Sequence, residues 1–147
     1  MIDSNIPFDK IINFGQRTML DSKLFSVSWI LARFCNYDCS YCWPYAKSKQ
    51  KDHRPLSVYT TVVDEIKRQA RLNGFTDYHF SFSGGEPTAY KDFLQLVQHY
   101  SADTAPEYQS IHMTTNLSLS EKWWERWLEA TKTLNRRSIT ASFHAEF

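Results

Sequence analysis

Residues 35 to 42 read CNYDCSYC and hold all three cysteines of this 147-residue chain. Thiolates are soft donors that select zinc, copper(I) or iron–sulfur clusters. The spacing Cys35-x3-Cys39-x2-Cys42 concentrates them in one short segment. A structural zinc ion takes four protein ligands, and an ordinary iron–sulfur carrier uses four cysteines per cluster. Three thiolates leave a coordination position open, as a catalytic metal does for its substrate. Other readings stand beside this one. His53, eleven positions after Cys42, is a candidate fourth ligand for a zinc or non-catalytic cluster site. Positions spaced i, i+4 and i+7 would share one face of a buried helix, where cysteine is at home. Against that, Asn36, Asp38 and Ser40 favour a loop, and Pro44 follows closely. Redox-active thiols are the remaining alternative.

A second stretch with chemical potential is SGGEPTAY, residues 83–90. Adjacent glycines let a backbone approach a ligand closely or take positive φ. Glu86 adds a carboxylate, and Pro87 fixes the exit into whatever follows. The bland alternative is a strand-to-helix turn carrying a surface glutamate. No Gly-Lys-Ser/Thr follows, so this is not a phosphate loop.

The elements around these stretches alternate in period. LFSVSWIL (24–31) sets Phe25, Val27, Trp29 and Leu31 against Ser26 and Ser28, a strand pattern. After Pro55, Val58, Val62, Ile66 and Ala70 form a helical stripe, with Ser57 as expected N-cap and Gly74 as stop. YHFSFS (78–83) is a strand that ends at the glycine pair. KDFLQLVQHY (91–100) is a helix presenting Phe93, Leu96, Val97 and Tyr100. SIHMTT (110–115) is a third strand. The next segment, SLSEKWWERWLEATKTL, is a third helix. Its expected buried stripe is Trp124, Trp127, Leu128 and Thr131, and Ser118 with Glu121 would make a capping box. SITASF (138–143) closes the series. Trp123, Trp124 and Trp127 read as packing residues that cannot all share one face.

The order β-α-β-α-β-α-β predicts an α/β fold with a parallel sheet built by right-handed crossovers. The strands are less apolar than those of sheets buried on both faces. Ser26, Ser28, Ser81, Ser83, Thr140 and Ser142 supply a polar set. In a curved sheet or partial barrel, helices cover one face and this set would line a cavity for a polar ligand.

The two motifs, each following its own strand, resemble the signature of the radical S-adenosylmethionine (radical SAM) superfamily. The resemblance rests on Cys35-x3-Cys39-x2-Cys42 with Tyr41 before the last cysteine, and on Gly84-Gly85-Glu86 after the second strand. It implies that the three cysteines hold three irons of a 4Fe–4S cluster, while the amino and carboxylate groups of SAM chelate the fourth. It also implies that Gly84, Gly85 and Glu86 bind the SAM amino group and that the backbone at Tyr41 lies near the adenine. Asn116 matches part of a Thr-Asn-Gly element, although Leu117 replaces the glycine. Ser142 matches a polar ribose contact on the fourth strand, and His144 and Glu146 are further candidates near the site. The implied activity is reductive cleavage of SAM, with an electron from flavodoxin or ferredoxin, to a 5′-deoxyadenosyl radical that abstracts hydrogen from a substrate. That substrate is a peptide, a nucleic acid or a small molecule, and the sequence does not choose. No catalytic side chain beyond the cluster ligands is identified.

The family domain has six βα units, and this chain supplies four strands and three helices. The expected organisation is an N-terminal extension over 1–23 and a partial radical SAM core over 24–147. A truncated fragment, inactive or not, is one expectation; a short domain or a chain completed by a partner are others.

Composition narrows the class. The formal net charge is +1, with no basic run to suggest a nucleic-acid groove. No stretch approaches the roughly 20 apolar residues of a membrane span. The first residues lack a signal-peptide pattern, and an odd cysteine count disfavours a disulfide framework. A soluble, cytoplasmic protein with no membrane partner is expected.

Overall fold

The structure is a computed structural model, and it describes residues 23–42 and 48–145. Residues 1–22 of the expected N-terminal extension, where Pro7 and Gly15 would bound a short helix, lie outside these residues, as does Glu146. Strands β1 (Leu24–Ile30), β2 (Asp77–Ser83), β3 (Gln109–Thr115) and β4 (Arg136–Ala141) form one sheet in the order β1-β2-β3-β4. Every neighbouring pair is parallel. Helices α1 (Leu56–Leu72), α2 (Phe93–Ser101) and α3 (Glu121–Ala130) connect them, with a 3-10 turn at Pro87–Ala89 before α2. The expected α/β architecture with its parallel sheet is therefore present.

The strand alternation decides which face the helices cover. Tyr78, Phe80 and Phe82 of β2 and Ile111 and Met113 of β3 are fully buried, in one core with Val63 of α1 and Phe93, Leu96 and Tyr100 of α2. Burying side chains of this size contributes about 1.5–3 kcal/mol each. The opposite face is polar. Its cross-strand rows run Ser26, His79, Ser110, Arg136 and Ser28, Ser81, His112, Ser138. His79 Nδ1 meets Ser110 Oγ at 2.8 Å, and His112 Nδ1 meets Ser138 Oγ at 3.0 Å.

Several local expectations need correction. In α1 the buried stripe is Tyr59, Val63, Lys67 and Ala70, while Val58 and Val62 face outward. The reason is Lys67, whose ammonium is buried against Tyr100 O (2.9 Å), Gln109 Oε1 (2.8 Å) and Asp103 Oδ2 (3.3 Å). A charged residue on the core side disguises the true stripe. Helix α1 begins behind Pro55, whose fixed φ suits a helix entrance, so Ser57 lies in the first turn. Gly74 ends it as expected, at φ +83°. In α3, Ser120 takes the N-cap position and Leu128 is exposed. Ser118 instead accepts a hydrogen bond from Asn36 Nδ2 at 2.8 Å, so the capping box does not form. Strand β4 starts and stops two residues early, which places Ser142 just past its end.

Candidate cofactor site

The carboxyl ends of parallel strands gather loops at one edge of the sheet, where such folds place ligands. Here one pocket of about 190 Å³ collects both sequence motifs. Cys35, Cys39 and Cys42 line it, with Tyr37 and Tyr41 from the same loop, Gly84, Gly85 and Glu86 from the end of β2, Asn116 after β3, and Ser142 and His144 after β4. All nine residues singled out as metal or cofactor ligands thus converge, although they span more than a hundred positions of chain.

The cysteine segment is a loop, not a helix face, so the buried-helix alternative fails. It is held by its entry. The Asp52 carboxylate accepts from the Arg33 and Phe34 amides at 3.1 and 3.0 Å. Ser48 N–H donates to Arg33 O, and Cys35 N–H donates to Ser48 O. On the other side, Gly85 N–H donates to Ala32 O and Glu86 N–H to Phe34 O, both at 2.9 Å.

That last pair explains the glycines. A Cβ on Gly85 would stand 2.1 Å from Phe34 O, and one on Gly84 would stand 2.3 Å from Ala32 O. Gly84 also has φ +128°. The close approach made by this motif is thus to the strap that carries the cysteines. Glu86 is not a surface glutamate. It is 2% exposed. Its Oε1 accepts from Thr88 N–H, Thr88 Oγ1 and Thr115 Oγ1, and its Oε2 accepts from Asn116 N–H at 2.7 Å. One carboxylate therefore ties the end of β2 to the end of β3. Oε1 is saturated, while Oε2 retains acceptor capacity.

Asn116 donates from Nδ2 to Asn36 Oδ1 at 3.0 Å and lies 4.0 Å from Cys35 Sγ. Its Oδ1 accepts from Ser118 N–H, a turn closed by its own side chain. Leu117 sits at φ +55°, the one non-glycine residue at positive φ among the described residues. Tyr41 is exposed, and its ring lies beside that of His144, with centroids 6.0 Å apart and planes 11° from parallel. Ser142 N–H donates to Thr115 O at 2.8 Å. His53, by contrast, is not in this pocket. It stacks on Tyr90 in a separate cleft, so the zinc alternative loses its proposed fourth ligand. Tyr37 lines the pocket without having been singled out, because no local pattern marks it, and Thr114 and Thr115, which precede Asn116 in the Thr-Asn-Gly-like element, line it too.

The electrostatics fit a cationic group. Cys39 is buried, and Cys35 and Cys42 are half-buried. Burial pushes the Cys35 thiol above its ordinary value. An amide donor from Tyr37 opposes the shift, and charge on Glu86, Cys39 and Cys42 adds to it. Three thiolates beside a carboxylate repel one another unless a positive centre joins them, and metal loading would release their protons. Among the described residues no group of three or more His, Cys, Asp or Glu side chains is already drawn together around a single ion.

A parallel α/β sheet with a thiol-lined pocket at its carboxyl edge is a frame able to hold a metal cofactor. The profile of the radical SAM superfamily matches residues 29–145, and the chain belongs to that superfamily. It is 30% identical over 126 residues to a GTP 3′,8-cyclase of Mannheimia succiniciproducens, covering 82% of this chain and 35% of that protein. It is 29% identical over 131 residues to an S-adenosylmethionine-dependent nucleotide dehydratase of Siniperca chuatsi, covering 86% and 32%. A GTP 3′,8-cyclase of Stenotrophomonas maltophilia is 34% identical over 106 residues, covering 70% and 30%. The chain spans about a third of the length of these relatives. No helix among the described residues is long and apolar enough to cross a membrane.

Proposed function

We propose that this chain holds a 4Fe–4S cluster through Cys35, Cys39 and Cys42 and binds SAM beside it, for reductive cleavage that starts hydrogen abstraction from a substrate. The observation that carries this reading is the convergence of three thiols with the Gly84–Glu86 turn, Asn116 and Ser142 in one pocket. When bound and reduced, the cluster supplies the electron that breaks the sulfonium bond of SAM.

The chain's own residues set the stage. Asp52, Ser48 and the Gly85–Glu86 amides fix the loop that presents the sulfurs. The spare capacity of Glu86 Oε2, with the backbone at Gly84 and Gly85, suits a cationic amine. Ser142 and Asn116 supply polar atoms for the rest of the ligand, and the backbone at Tyr41 would lie near the adenine. The polar sheet face running back from the pocket along the strands, with Ser81, His112 and Ser138, would give a small polar substrate hydrogen-bonding partners. The named relatives act on GTP and on nucleotides, so a nucleotide is the first substrate class to test. Flavodoxin or ferredoxin is the proposed reductant, and the cytoplasm the proposed compartment.

The test is anaerobic reconstitution with iron and sulfide, reduction by dithionite and addition of SAM. 5′-Deoxyadenosine and methionine are expected in equal amounts. A folded chain with an intact cluster that yields neither would overturn the enzyme reading.

A further inference from the structure

The imidazole of His144 makes a contact that the motif reading does not use. Its Nδ1 lies 3.2 Å from Cys39 Sγ. The ring lies beside that of Tyr41 and nearly coplanar with it, meets the Tyr41 hydroxyl through the same nitrogen, and takes the edge of Tyr37 at 5.5 Å and 85°. The chain reaches it from Ser142, which is pinned to the end of β3. His144 therefore sits over one sulfur in a built aromatic frame.

We propose that His144 donates a hydrogen bond from Nδ1–H to the Cys39 sulfur and thereby raises the reduction potential of the cluster; this rests on the cluster reading above. The chemistry selects the tautomer. A cluster-bound cysteine is a thiolate, an acceptor. A lone pair on Nδ1 at 3.2 Å would repel it, whereas an N–H is attracted. The Tyr41 hydroxyl, facing the same Nδ1, then acts as acceptor and shares the proton. Cys39 is 4% exposed, so water screens this contact little and its electrostatic effect is large for its length. A donor on a ligating sulfur draws off negative charge and favours the reduced cluster, one of the established levers on iron–sulfur potentials. His144 is a positioning residue in this account, since it acts through Cys39.

The experiment compares reconstituted wild type with His144→Phe and His144→Asn, reading the midpoint potential by EPR-monitored titration without SAM. Phe keeps a flat ring of similar size and removes the donor; Asn keeps an N–H close to where Nδ1 stands. The expected result is a more negative potential in H144F, a return towards wild type in H144N, and equal iron content in all three. Coincident potentials in wild type and H144F, with clusters intact, would overturn the inference and leave the cluster reading standing. A wild-type chain that assembles no cluster would overturn both.

Discussion

The substitution Gly85→Ala tests the claim that this glycine exists to let the cysteine strap pass. The added Cβ would meet Phe34 O at 2.1 Å, Phe34 C at 2.4 Å and Arg33 O at 2.5 Å. All three are backbone atoms, so no side-chain rotation relieves the clash. Restoring ordinary contact near 3.4 Å requires the strap to retreat by about 1.3 Å. That breaks the Gly85-to-Ala32 and Glu86-to-Phe34 hydrogen bonds, which are 2.9 Å each. Losing two such bonds costs about 1–3 kcal/mol together. Residual overpacking costs about 1–3 kcal/mol more. A loss of roughly 2–6 kcal/mol is large against a total stability of about 5–15 kcal/mol. The control is Gly74→Ala. Gly74 has φ +83° and open space around its Cα, so alanine there costs only the left-handed backbone, about 1–2 kcal/mol. Urea denaturation and iron content after anaerobic reconstitution separate the two. G85A should lose stability and iron together, and G74A a little stability and no iron. A G85A protein with wild-type stability and iron content would refute the packing argument.

Three further outcomes are expected. Leu117→Gly should stabilise the fold by about 0.5–1 kcal/mol, because it relieves a left-handed residue at the cost of a more flexible unfolded chain; a denaturant midpoint at or below wild type would contradict this. Asp52→Asn should cost about 1 kcal/mol at neutral pH. Burial works to raise the Asp52 pKa, but amides of Arg33, Phe34 and Asp52 itself outweigh it and hold the group below its ordinary value. Its contribution is therefore full above the unfolded value of about 3.9 and is lost as pH falls through the lower folded value; melting curves across that window should show the slope in wild type and not in D52N. His53→Ala should leave iron binding unchanged, since His53 packs on Tyr90 away from the cysteines; loss of iron measured after reconstitution would revive a fourth endogenous ligand.

Much of the architecture was legible because it rests on local periodicity. Strands with period two and helices with period near 3.6 announce themselves within one turn or a few residues, and so do a cysteine triplet and a glycine pair. Where one side chain answered to a distant partner, the local signal misled. Lys67 reads as a solvent-facing lysine, yet carbonyl, amide and carboxylate oxygens from residues 100 to 109 make its burial tolerable, and the apparent stripe of α1 shifts by one position. Ser118 reads as a cap, yet Asn36, far back in the chain, claims its hydroxyl.

The sequence by itself determined the ligand types, their spacing and the parallel α/β order, because thiolate chemistry and hydrophobic period are properties of neighbours in the chain. Only the tertiary structure decided what Glu86, Gly85 and His144 do. Glu86 is a buried knot between β2 and β3, Gly85 is clearance for the strap, and His144 stands 3.2 Å from Cys39 across 105 positions. Those roles are set by the approach of backbones and rings remote in sequence, and sheet register, which no local window contains, brings them together.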